Sequence, residues 1–178
     1  HSCKEEQMGL NGRNAIVTGG AKGIGKAICL RLARDGANIG ILDIDHNLAE
    51  ATAREILETG VKAIAIKCDV TDQTQVKKAV DSFVSHFSAI DILINNTGID
   101  KSQFFIDTDQ TTWNKMIDVN YKSFLLVTHT CLPHMIEKKS GNIVSLGSDA
   151  GRVGNSGEVV YCGTKAAIMA SSKALARE

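Results

Sequence analysis

Short β-prone runs ended by glycine or a polar residue alternate along this chain with longer segments whose apolar residues recur at helical spacing. Asn14 to Val17 is the first such run, and an amphipathic stretch follows it to about Arg34. Ala37 to Asp43 reads as a second strand, and 47–59 as a helix ended by Gly60. Ala63 to Lys67 is a third strand; a helix over Asp72 to Phe87 follows, capped by Asp72 or Thr71. Ile90 to Ile94 is the fourth strand. Beyond it lies a long helical region from Gln110 to Lys138, in which Pro133 is expected to kink or end the helix. Asn142 to Leu146 is the fifth strand, a glycine-rich loop runs from Gly151 to Gly157, and Tyr161 to Arg177 closes the chain as a helix. Strand then helix, repeated with glycine punctuation, predicts an α/β fold: a doubly wound parallel sheet with helices on both faces.

The order leaves residues 1–12 as an N-terminal arm, with Met8 a candidate native start, and 13–178 as a single domain. Nothing in the composition divides it. The 178 residues are 43% hydrophobic, enough for one sizeable core. Lysine plus arginine equals aspartate plus glutamate at 20 each, so no basic excess points to nucleic acid or an anionic membrane. No apolar run approaches the roughly 18 residues that span a bilayer. The five cysteines, at 3, 29, 68, 131 and 162, include no Cys-x-x-Cys pair. That is the usage of a cytoplasmic protein, with neither a disulfide framework nor a metal site.

The polar signals gather at strand ends. Thr18 to Gly25 joins the first strand to the first helix with the spacing G-x-x-x-G-x-G. Glycines there let the backbone approach a diphosphate, and a helix N-terminus favours its charge. Asp43 closes the second strand, where a carboxylate can accept from an adenosine ribose 2′-hydroxyl and repel a 2′-phosphate. Asp69, the Asn95-Asn96-Thr97-Gly98 turn and Ser148 follow the third, fourth and fifth strands. In a doubly wound sheet those ends form one rim, where ligands bind. Tyr161 and Lys165, one helical turn apart, share a face. A phenol is a poor acid or base at neutral pH, and an adjacent ammonium favours its ionised form. An amphipathic helix produces the same pair by chance; the rim makes chance the weaker account. A Ser–His–Asp triad built on Ser148 is the competing chemistry, but no Gly-x-Ser-x-Gly elbow surrounds that serine.

Thr-Gly-x-x-x-Gly-x-Gly at 18–25, Asn-Asn-x-Gly at 95–98, Ser148 and Tyr-x-x-x-Lys at 161–165 together resemble the short-chain dehydrogenase/reductase family. The resemblance covers about residues 10–178. It implies a Rossmann-type sheet and hydride transfer between a nicotinamide and a secondary alcohol or ketone. It assigns Tyr161 as acid/base, Lys165 to the phenol and the nicotinamide ribose, and Ser148 to the substrate oxygen. Asn120 would hold a water that links Lys165 to solvent. Gly19, Lys22, Gly23, Ile24, Gly25 and Asp43 would bind the cofactor, with Asp69 and Val70 flanking the adenine and the turn Asn95 to Gly98 (Asn95, Asn96, Thr97 and Gly98) bordering the adenosine ribose.

Asp43 predicts NAD over NADP, although Lys22 in the glycine loop argues for a 2′-phosphate. The stretch Gly147 to Lys165 is most similar to the 3-oxoacyl-thioester reductase and hydroxyacyl-CoA dehydrogenase branch. Thr97, Gly147 and Cys162-Gly163-Thr164 depart from the usual residues at their positions. The resemblance further implies two more strands and a substrate-covering segment beyond Glu178, so the chain is expected to continue, and a homodimer or homotetramer. A non-catalytic nucleotide-binding or redox-sensing module is the alternative that the same fold allows.

Overall fold

The computed structural model describes residues 9–178. Five strands, β1 (Asn14–Thr18), β2 (Asn38–Asp43), β3 (Ala63–Lys67), β4 (Ile92–Asn95) and β5 (Asn142–Ser145), form one sheet in the order β3-β2-β1-β4-β5. Every pairing is parallel. The chain runs outward from β1 through β2 to β3, then returns to place β4 on the other side of β1. The order reverses between β1 and β4, and that switch point is where such sheets open a crevice.

Strand parity explains the layers. Ala15, Val17, Ile39, Ile41, Ile92 and Ile94 point to one face, where Cys29 and Ala33 of α1 (Gly23–Arg34) and Ala49, Ala53 and Ile56 of α2 (His46–Leu57) cover them. Ile16, Leu42 and Leu93 point to the other face. There they meet Val76, Val80 and Phe83 of α3 (Gln73–Phe87) and Val127, Cys131 and Met135 of α5 (Ser123–Lys138). Gly40 in β2 is a close-approach glycine: a Cβ there would strike the ring of Phe83. Asp45, Asp72 and Asp109 accept from main-chain amides in the first turns of α2, α3 and α4 (Gln110–Ile117), so each helix start is capped.

The structure departs from the pattern in four places. The long helical region is divided: five residues, Asp118–Lys122, form a π turn between α4 and α5. Pro133 lies inside α5 rather than at its end, because Cys131 and Met135 on either side are buried and hold the helix to Lys138. The loop expected over Gly151–Gly157 contains a short helix, α6 (Ala150–Val153), and the last helix, α7 (Val159–Leu175), begins two residues before Tyr161. Of the arm over 1–12, residues 1–8 with Cys3 and Met8 lie outside the described residues. The remainder is stitched down: Leu10 N–H donates to Asp35 O (3.0 Å), and Leu10 packs on the α1–α2 face.

Asp91 ties the far end of the sheet together. Its carboxylate accepts from Asn14 N–H (2.8 Å), from Arg13 Nη1 (3.0 Å) and from Lys138 Nζ. Burial alone pushes its pKa up; the hydrogen bonds from Lys138, Asn14 and Arg13 outweigh it and hold the group below the usual carboxylate range. The folded pKa is therefore below the unfolded one, so the stabilisation is present above about pH 4 and fades as pH falls through the folded value. Asp91→Asn is expected to cost roughly 2–4 kcal/mol near neutrality. Urea melts of both proteins at neutral and acid pH check this: the gap between them should shrink on the acid side.

Candidate active site

The carboxyl ends of the strands meet in a cleft of about 500 Å³, lined by Gly19, Lys22, Ile24, Gly25, Asp43, Asn96, Gly98, Tyr161 and Lys165 among others. A second cavity of about 290 Å³ adjoins it, walled by Asp69 and Val70 and sharing Gly19, Asp43, Ile44, Thr97 and Ile99 with the first. The switch point of the sheet has become one long trough with a waist.

The glycine loop is shaped by contact. Gly19 and Gly23 hold φ of +64° and +57°, a region that side chains strain to enter. A Cβ on Gly25 would come closer than 3.0 Å to Gly19 O and Asn96 Nδ2. Asn96 Nδ2 donates to the carbonyls of Thr18 (2.9 Å) and Gly19 (3.0 Å), which fastens the loop to the turn after β4. Thr18 Oγ1 accepts from the amides of Asn96 (3.0 Å) and Thr97 (3.2 Å). Asp43 is likewise oriented: its two carboxylate oxygens accept from Ala21 N–H and Asp45 N–H, both at 3.0 Å. The start of α1, the bare glycine backbone and the fixed Asp43 fit the diphosphate and ribose of a dinucleotide, and the cavity at Asp69 and Val70 fits its base.

At the other end of the cleft, α7 delivers Tyr161 and Lys165 from its first turns. The Lys165 ammonium is buried, lies 5.8 Å from the centre of the Tyr161 ring and donates to Leu146 O (2.8 Å). No carboxylate pairs with it among the described residues. Burial lowers its pKa. Gly98 lies beside both: a Cβ there would touch Lys165 Nζ at 3.4 Å and Asn120 Oδ1 at 3.5 Å, ordinary contact distances.

Four sequence-chosen residues stand off the trough wall. Asn120, turned inward by the π turn, accepts from Ile99 N–H (2.7 Å) and donates to Ile99 O (2.9 Å) and Thr164 Oγ1 (3.1 Å). Both its N–H groups are committed, and its evident work is to fasten the loop after β4 to α7. Ser148 sits one residue beyond the cleft-lining Gly147, and its Oγ accepts from Ala150 N–H (3.2 Å). Asn95 is buried and faces away, donating to Thr128 Oγ1 (3.0 Å) and Ser145 Oγ (3.3 Å); it joins β4 to α5 and β5 rather than bordering a ribose. Gly23 opens α1 without touching the wall. Thr97, within the expected turn, lines the trough as well; the pattern missed Ile44, Ile99 and the Leu146 carbonyl.

No group of three or more His, Cys, Asp and Glu among the described residues is placed to hold a metal ion, and no helix there is long and apolar enough to cross a membrane. Burial pushes the Cys29 and Cys131 thiols up to about 12 and Cys68 up to about 11, which leaves them poor nucleophiles.

A parallel sheet with a glycine-loop trough at its switch point and a Tyr–Lys pair at the trough's end defines a Rossmann-like α/β protein. Residues 13–178 match the short chain dehydrogenase family, and the chain belongs to it. It is similar to the 3-oxoacyl-acyl-carrier-protein reductase FabG of Staphylococcus aureus strain Mu50: 36% identical over 167 residues, 93% of this chain and 68% of that protein. The Thermotoga maritima protein of the same name is 33% identical over 171 residues, 96% of this chain and 70% of its own. A crystal structure of NAD+-bound xylitol dehydrogenase superimposes with a TM-score of 0.91 at 32% identity; the match covers 93% of this chain and 64% of that one. The chain thus spans about two thirds of the length of the proteins it matches.

Proposed function

We propose that this protein is a nicotinamide-dependent oxidoreductase that interconverts a secondary alcohol and its ketone. One observation carries the proposal: a buried ammonium, Lys165, with no acidic partner, stands beside the Tyr161 phenol at the end of a dinucleotide-shaped trough. A buried charge left unpaired costs stability and marks a working site more often than a structural one. A non-catalytic module would have no use for it.

When bound, a nicotinamide dinucleotide supplies the hydride acceptor or donor. Tyr161 Oη takes the carbinol proton in oxidation and returns it in reduction. Lys165 stabilises the ionised phenol, and its two N–H groups left free by Leu146 are available to a ribose hydroxyl. Ser148 lends its hydroxyl proton to the substrate oxygen. Asn120 acts as a positioning residue, holding the Ile99 loop against α7, with Oδ1 still able to accept from a water. Gly19, Gly25 and the start of α1 hold the diphosphate, and Lys22 flanks it. The FabG relatives favour a 3-oxoacyl or hydroxyacyl thioester as substrate. Unpaired interior cysteines accord with a cytoplasmic location. Exposed Ile117 and Leu125 near the π turn leave apolar surface for a homodimer or homotetramer.

NAD is preferred in this reading, because the Asp43 carboxylate is held in place by two amides and repels a 2′-phosphate; the NAD+-bound relative supports it. Two like charges about 4 Å apart cost roughly 1 kcal/mol even in water and more beside protein. The full-length protein should therefore bind NAD at least about tenfold more tightly than NADP. Fluorescence titration with both cofactors, alongside a turnover screen of secondary alcohols and hydroxyacyl thioesters, checks this. Tighter NADP binding reverses the cofactor assignment, and no turnover with any substrate overturns the function.

A further inference from the structure

One hydroxyl ties the backbone of the Tyr161 turn to the π turn. Thr164 lies between Tyr161 and Lys165 on α7 and is only 5% exposed. Its Oγ1 donates to the Tyr161 main-chain carbonyl (2.8 Å) and accepts from Asn120 Nδ2 (3.1 Å). Helical pairing gives that same carbonyl to the Lys165 N–H, so it is the pivot of the turn that carries both side chains. A threonine hydroxyl has one proton. Spent on Tyr161, it leaves Oγ1 able only to accept, which fixes the end of the Asn120 amide that faces it. The other bonds of that amide go to Ile99: Nδ2 donates to Ile99 O (2.9 Å) and Oδ1 accepts from Ile99 N–H (2.7 Å). Asn120 is 1% exposed, so water cannot replace a lost partner. A continuous set of hydrogen bonds thus runs from Ile99 on the cleft wall, through Asn120 and Thr164, to the backbone beneath Tyr161 and Lys165.

We infer that Thr164 is a positioning residue for the acid/base pair: its hydroxyl sets the turn that aims the Tyr161 phenol and the Lys165 ammonium, with Asn120 as the fixed point. This rests on the reading of Tyr161 and Lys165 above. The charged groups that share a wall with Tyr161 are Lys165, Lys22, Asp43 and Asp100 in the cleft, and Lys101 and Glu158 in the narrow slot on its other side. Of these, only Lys165 stands on the turn that Thr164 braces, so loosening that turn changes the distance from phenol to ammonium and leaves the rest in place.

The test uses the full-length protein. Thr164→Val keeps the shape and removes the hydroxyl, Thr164→Ala removes it without a second methyl to fit, and Thr164→Ser keeps it. Turnover of a secondary alcohol is followed against pH, and calorimetric titration with NAD gives the affinity and the fraction of each preparation that binds. Valine and alanine should each lower kcat per bound NAD about tenfold, the effect of a buried donor left without its partner. Both should also raise the pH limb of kcat by about half a unit, because a phenol whose ammonium is less well held ionises at higher pH. NAD affinity should stay within about threefold of the parent. Serine should restore both the rate and the limb. Asn120→Ala should lower kcat by a similar factor, and Thr164→Val added to it should lower kcat little further, since the two act through one bond. An unmoved pH limb in both hydroxyl-free variants, a rate loss fully matched by a smaller NAD-binding fraction, a serine no better than valine, or effects at 120 and 164 that multiply overturns the inference and leaves the function standing. A parent without turnover ends the reading on which it rests.

Discussion

Tyr161→Phe is expected to abolish turnover while leaving dinucleotide affinity within about threefold of the parent. The phenol lies in the first turn of α7 and lines the cleft, and Lys165, one turn on, brings its ammonium to 5.8 Å from the ring. Phenylalanine keeps the ring and its packing, so the substitution reads the hydroxyl alone. Loss of a positioned acid/base group costs about 10²–10⁴-fold in rate. The trough proposed for the cofactor is built largely from the other end, by Gly19, Gly25 and Asp43, which is why binding should survive. Steady-state turnover with a cofactor titration on the same preparation checks both halves. A phenylalanine variant with half the parent's rate would remove Tyr161 from the chemistry.

Gly25→Ala should have the complementary effect. Its Cβ would fall within 3.0 Å of the Gly19 carbonyl and of Asn96 Nδ2, which are hydrogen-bonded to each other at 3.0 Å. Neither is the free end of a flexible side chain. One must move, and moving either opens the joint between the glycine loop and the turn after β4. Loss of that joint and of the amides it aims should weaken dinucleotide binding by about 2–3 kcal/mol, roughly 30- to 150-fold. The overpacking itself should cost about 1–3 kcal/mol of stability. Calorimetry for binding and a denaturant melt for stability separate the two. An alanine variant that binds NAD like the parent would mean that the loop does not cradle the diphosphate.

Much of this fold was legible because its signals are local. Each β-prone run, its closing polar residue and its following helix can be read within a few residues, and β3 falls at Ala63–Lys67 as expected. The rim follows from topology, so Gly19, Asp43 and Tyr161 are found together although they are far apart in the chain. What stayed hidden depends on contacts. The π turn leaves the helical apolar pattern almost unbroken, yet it is what turns Asn120 towards Ile99 and Thr164. Gly151 looks like loop punctuation; its real constraint is the approach of α6 to α7, where a Cβ would lie 2.7 Å from Ala166 N. The Leu146 carbonyl that holds Lys165 is main chain and carries no residue signal. Asn95 had a signal that went unused. By strand parity it shares a face with Leu93, towards α5, whereas Asn96 falls on the opposite side and reaches the glycine loop.

The most direct measurement of the central claim follows the hydride itself. The full-length protein is given NAD and a secondary alcohol deuterated at the carbinol carbon, and the recovered cofactor is examined by NMR. If the trough holds a nicotinamide beside Tyr161, the label appears on the nicotinamide ring, and the Tyr161→Phe variant gives none above background. Ketone formed without label in the cofactor, or label found only in solvent, would contradict the account.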